Sequence, residues 1–136
     1  MCIRDSNRFN AELARSSHPD IEAIATVFLE GVQAVAVCIE FIVSGKDPVA
    51  LSAGAAPFLK LMGIVAGGWQ MARAALVAER KLIDEENADI SFLEAKIATA
   101  RFYADHVLAQ APGLRNTVVS GSAAVMSLSP DQFLAV

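Results

Sequence analysis

The sequence predicts an all-α fold, an up-down bundle of about four antiparallel helices. Three observations predict it. Apolar residues recur at steps of three and four over long stretches, the period of one helix face. Two of the candidate helices open with proline at the first helical position, after His18 and after Asp47, where the missing N–H costs nothing. No stretch alternates apolar and polar residues as a half-buried strand does, and no internal repeat is present.

The elements run in order. From Ile21 the apolar positions Ile24, Ala25, Phe28, Val32, Val35, Ile39 and Ile42 hold one stripe, with Glu22, Glu30, Gln33 and Glu40 off it. His18-Pro19-Asp20 starts this helix and Ser44-Gly45 ends it. Asp47-Pro48 starts the second, which carries Leu51, Phe58, Leu61, Met62, Val65, Trp69, Ala72 and Leu76. Pro57 is expected to kink it or split off its first turns, because proline removes a backbone donor. Glu79-Arg80-Lys81 suits its C-terminus. After the polar run from Asp84 to Asn87, Ser91-Phe92-Leu93-Glu94 reads as a capping box. A third helix continues through Ala95, Thr99, Phe102, Tyr103 and His106 and stops before Pro112-Gly113. A shorter fourth carries Leu114, Val118, Gly121, Val125 and Leu128, and Ser129-Pro130-Asp131-Gln132 looks like one more start.

Composition narrows the function. At 136 residues the chain is one domain's worth and long enough to bury a core. It is 54% hydrophobic and 19% charged, a balance that suits tight helical packing or a surface buried on other protein. A net charge of -4 argues against nucleic acid and against attraction to an anionic membrane. Cys2 and Cys38 make neither a disulfide framework nor a metal-binding pair, so a reduced, cytoplasmic setting is expected. Glu30, Gln33 and Glu40 interrupt one apolar stretch and Lys60 and Arg73 the other, so neither supplies an uninterrupted transmembrane run.

Chemistry-bearing patterns are sparse. There is no glycine-rich phosphate loop and no serine elbow. His18 and His106 lie far apart and lack a metal-ligating partner at helical spacing, so a packing or surface role suits them better than acid-base work. The acidic run from Asp84 to Asp89 lacks the alternation and central glycine of a calcium loop and reads as a solvated turn. The most unusual stretch runs from Leu61 to Arg73, with Gly63, Gly67 and Gly68 in mid-helix. Each glycine costs about 1 kcal/mol relative to alanine there, so something should compensate. Gly63 and Gly67, four apart, share a face that a neighbouring helix can approach. Simple bundle packing is one reading. The other is an inter-subunit or inter-domain contact using Gly67, Gly68 and Trp69, with Arg73 beside them. Lys96, Arg101 and Tyr103 on the third helix invite the same two readings: surface groups, or anchors for a partner domain.

At these two segments, Phe58 to Leu76 and Phe92 to His106, the sequence resembles the extreme C-terminal domain of large bacterial acyl-CoA dehydrogenases. The group it resembles is the 3-methylmercaptopropionyl-CoA dehydrogenase-like one. The likeness covers nearly everything after Ser6 and includes the segment from Val125 to Phe133. What the resemblance implies is a parent flavoprotein of fatty acid metabolism. In it a glutamate removes the α proton of an acyl-CoA and FAD accepts the β hydride. The resemblance places FAD, acyl-CoA and the catalytic glutamate, in a Tyr-Glu-Gly-Thr-like segment, upstream; no such segment occurs here. It therefore implies no catalytic, cofactor-binding or metal residue in this chain. Residues 18–136 are expected to be an appended domain that packs on its own upstream catalytic domains and across a homodimer. Two alternatives stand beside it: a free-standing helical interaction module, and a peripheral membrane-attachment domain.

The opening Met-Cys-Ile-Arg-Asp-Ser carries no apolar period into the residues after it. Written back into codons it matches ATG TGT ATA AGA GAC AG, the end of a transposon adapter used in sequencing libraries. Residues 1–6 are therefore expected to be adapter-derived, and residues 7–17 a poorly ordered remnant of an upstream segment.

Overall fold

The computed structural model describes residues 3–125 and 127–134, so the expectations on Met1, Cys2, Met126 and the last two residues lie outside the described part. The described residues hold six α-helices and no strand: α1 (Ile3–Leu13), α2 (Pro19–Ser44), α3 (Pro48–Asp84), α4 (Ile90–His106), α5 (Ala111–Ser120) and α6 (Ser122–Val125). Two short 3₁₀ turns, Leu108–Gln110 and Pro130–Phe133, complete them. The all-α expectation holds.

Helix starts follow local chemistry. Ahead of α2, His18 Nδ1 accepts from the Asp20 backbone N–H at 3.2 Å, with Pro19 at the first helical position. Ahead of α3, Asp47 Oδ1 accepts from the Val49 N–H at 2.9 Å. At α4 the cap is Asp89, whose Oδ1 accepts from the Phe92 N–H at 3.0 Å. The expected Ser91 box is thus displaced by two residues, because the earlier carboxylate reaches the first-turn donors. Pro57 does not divide α3, which runs unbroken for 37 residues, about 55 Å at 1.5 Å per residue. The turns around Pro57 are held from outside: Gly54 lies against Val118 of α5. The expected fourth helix is interrupted at Gly121, giving α5 and the single turn of α6.

The core is built on α2 and α3. On α2 the buried residues include Ile21, Ile24, Phe28, Val32, Val35 and Cys38, the expected stripe with Cys38 as a small apolar member. On α3 they include Leu61, Val65, Ala72, Ala75 and Leu76, while Met62 and Trp69 are half-buried. Helix α3 packs on α2, α4 and α5, and α2 also meets α4 and α5. On α4 the buried stripe is Leu93, Ile97, Ala100 and Ala104. The expected stripe through Thr99 and Phe102 is rotated away from this face. Alanines at the contact let α4 approach closely, and Phe102 is left 59% exposed.

Residues 7–17, expected as a poorly ordered remnant, include most of α1 and the turn after it. Leu13 of that helix is fully buried, and the Phe9 ring meets Phe28 edge-on at 5.8 Å and Trp69 at 6.3 Å. Glu12 pairs with Arg80, and the Ser16 hydroxyl donates to Glu79 Oε1 at 2.6 Å, so α1 and its turn are tied to α3.

By length and composition alone, α2 and α3 are apolar enough to cross a membrane, a looser criterion than the uninterrupted apolar run sought in the sequence. A core helix has the same composition, and both helices bury their stripes in the bundle.

Candidate functional site

Three small residues and two large ones build a closed seam along the middle of α3. A Cβ placed on Gly68 would stand 2.8 Å from Leu108 Cδ2, and one on Gly31 of α2 would stand 3.0 Å from Leu108 Cδ1. Leu108, in the turn after α4, therefore fills a slot that two glycines on two helices leave open. Gly67 lies under the Tyr103 ring: a Cβ there would collide with the hydroxyl and stand 2.9 Å from Cζ. That hydroxyl donates to the Ile64 carbonyl at 3.1 Å, and burial pushes its pKa up. Gly63 behaves differently: a Cβ placed on it would have nothing within 4 Å. The two glycines that share a face by spacing thus meet different surroundings.

Beyond the seam the surface opens into a groove of about 560 Å³ between the C-terminal third of α3 and the first turns of α4. Its floor is Ala74, Val77, Ala78 and Leu93, and Arg73, Lys81, Lys96 and Phe92 stand around it. A second groove of about 500 Å³, lined by Phe9, Trp69, Leu76 and Arg80, shares Arg73 and Val77 with the first. Arg73 holds its guanidinium 5.2 Å from the centre of the Trp69 ring, and Lys96 holds its ammonium 5.1 Å from that of Phe92. The structure therefore brings together Trp69, Arg73 and Lys96 among the expected residues. It pairs Gly67 with Tyr103 and leaves Gly63 exposed and apart. Arg101 points elsewhere: it bonds Asp105 at 2.8 Å and Asp20 at 3.3 Å, pinning α4 to the start of α2.

Several other titratable groups have structural partners. His18 caps α2, and the exposed His106 stacks on Phe102 with ring centres 4.3 Å apart. In the acidic run, Glu85 pairs with Lys81 at 3.2 Å and Asp89 caps α4. Among the described residues no three His, Cys, Asp or Glu side chains cluster as a metal site would require. Cys38 is fully buried, and burial raises its thiol pKa while Arg115 opposes the rise. A flavin does not fit the glycine-lined clefts: Leu108 fills those at Gly31 and Gly68, Tyr103 the one at Gly67 and Val118 the one at Gly54.

Sequence reasoning missed Leu108, Gly31, Val77 and Lys81. Gly31, a lone glycine inside a strong apolar stripe, was the one signal that could have pointed to the slot. Leu108 has no distinguishing neighbours and is identified only by where the turn puts it.

This bundle has clear relatives. Residues 6–129 match the family described as Acetyl-CoA dehydrogenase C-terminal like. The chain belongs to that family. It is also 46% identical over 67 residues to a 3-methylmercaptopropionyl-CoA dehydrogenase of Ruegeria pomeroyi. The aligned stretch is 49% of this chain and 11% of that protein, so the chain corresponds to a small part of the dehydrogenase.

Proposed function

We propose that the chain is the C-terminal accessory domain of an FAD-dependent acyl-CoA dehydrogenase, which performs α,β-dehydrogenation of an acyl-CoA thioester. In this reading the chain is a fragment of a longer cytoplasmic polypeptide and is inactive alone. The carrying observation is the family match over residues 6–129, together with a relative of which the aligned stretch is only 11%. FAD, acyl-CoA and the catalytic glutamate belong to the upstream domains, and residues 1–6 are adapter-derived. Helices α2 to α5 form an up-down antiparallel arrangement, which the short links at 45–47 and 85–89 favour. The domain packs on the upstream domains and supports a homodimer. Gly63, Trp69, Arg73 and Lys96, at or near the surface, are the residues of the expected set best placed for this, since Gly67, Gly68, Tyr103 and Arg101 are engaged inside the bundle.

The test is to recover the upstream reading frame and express the longer chain with and without residues 7–136. The longer chain should retain FAD and reduce an electron-accepting dye with an acyl-CoA, and the truncated chain should lose dimerisation. This 136-residue chain alone should do neither. A native stop codon before Asn7 would end this reading in favour of a free-standing interaction module. Peripheral membrane attachment is a further alternative, against which the net charge of -4 weighs. Co-sedimentation with anionic liposomes at low salt tests it, and failure to sediment excludes it.

A further inference from the structure

We propose that the groove between α3 and α4 binds a free single-chain carboxylate, its head drawn to Arg73 and Lys96 and its tail laid on the floor of Ala74, Val77, Ala78 and Leu93. The inference takes Arg73 and Lys96 as facing a ligand in place of the packing role given to them above. Dodecanoate binding that this chain shows and the longer chain loses would assign them to the domain contact and overturn the inference. The groove's volume of about 560 Å³ falls within the roughly 300–1,000 Å³ of small-ligand sites. Its floor is apolar and partly solvent-exposed, with Val77 at 50%.

Charge selects an anion. Three cations and two carboxylates line the groove of a chain whose net charge is -4. Glu85 is paired by Lys81 at 3.2 Å and Asp89 is turned to the Phe92 N–H at 3.0 Å, and three cations against two carboxylates leave the lining positive by one charge. Arg73 and Lys96 have no ion-pair partner among the described residues and rest on ring faces at 5.2 and 5.1 Å. A ring face satisfies a cation less well than a carboxylate does, and the pairing strengthens beside an apolar floor where water is partly excluded. An amphiphile with one anionic head therefore matches both features, whereas a neutral alcohol matches only the floor. A cationic amphiphile would meet like charge.

The probe is dodecanoate below its micelle concentration, with dodecanol as the neutral counterpart, added to the purified chain. Equilibrium dialysis with labelled dodecanoate measures Kd. The single tryptophan, Trp69, gives a second signal beside Arg73. Dodecanoate should bind saturably, and rising salt should weaken it. In R73Q/K96Q the Kd should rise about tenfold while dodecanol is unaffected. K60Q, an exposed lysine elsewhere on α3, should bind as the parent does, and V77D should abolish binding of both probes. Circular dichroism confirms that each variant is folded. Equal affinity for dodecanoate and dodecanol without loss in R73Q/K96Q would overturn the proposal, as would the absence of saturable binding. Self-association that V77D abolishes and dodecanoate does not compete away would assign the groove to a second copy instead, and overturn it too.

Discussion

Helix α3 is sealed along its middle and open along its last third, although small and apolar residues line both stretches. In the middle, Gly67 and Gly68 are covered by Tyr103 and Leu108 to within van der Waals distance. In the last third, Ala74, Val77 and Ala78 face a groove, and the nearby Phe92 ring is 56% exposed. The difference lies in the partners. Tyr103 and Leu108 come from the end of α4 and the turn beyond it, where the chain folds back over α3. Phe92 and Lys96 come from the first turns of α4 and stand beside the floor, stacked on each other at 5.1 Å. A glycine in a helix therefore marks a close approach only where another element delivers a side chain to it. Gly63, four residues before Gly67, has no such visitor.

The largest expected effect tests the seam itself. Leu108→Ala empties a slot shared by two glycines, and should cost about 2–5 kcal/mol in urea unfolding followed by circular dichroism. Adding Gly68→Ala should then cost less than it does alone, because the new methyl enters vacated space. Strict additivity of the two changes would break the link between them. Next in size, Gly67→Ala should destabilise by about 1–3 kcal/mol, since the methyl displaces Tyr103 and its bond to the Ile64 carbonyl. This loss exceeds the helix-propensity gain of about 1 kcal/mol.

Gly63→Ala should have the opposite sign, raising stability by about 0.5–1 kcal/mol, because its methyl meets open space. A rise in Tm for the isolated chain combined with weaker assembly of the longer enzyme would mark Gly63 as a contact with a partner. The smallest effect is on pH dependence. Cys38 and Tyr103 both have pKa values raised by burial, so the fold favours their neutral forms. In the unfolded chain the thiol loses its proton first as pH rises. Stability should be level through neutrality and decline above about pH 8.5, through the raised thiol value. A Tm series across that range checks it, and Cys38→Ala should flatten the early part of the decline.

Much of the fold was legible. The α2 stripe from Ile21 to Cys38 and both proline-led starts appear where periodicity and capping chemistry put them. Two features were misplaced for related reasons. The α4 cap fell on Asp89 because two capping residues compete within three positions, and spacing does not say which reaches the N–H groups. The α4 stripe was rotated because aromatic size alone does not signal burial. In the structure alanines occupy the contact, and Phe102 stacks outside on His106. The candidate site was legible only as a glycine-rich stretch next to cations. Which glycines are filled depends on residues distant in the chain.

Periodicity, proline positions and composition by themselves determined that this protein is helical, and roughly where its helices begin. Those are local properties, set by backbone sterics and by which face can leave water. The tertiary structure alone decided that α3 continues through Pro57, that Leu108 plugs Gly31 and Gly68, and that Arg73 and Lys96 flank an open apolar groove. Each of these depends on how close two separate helices come, a distance fixed by the packing of side chains across their contact rather than by either helix's own sequence.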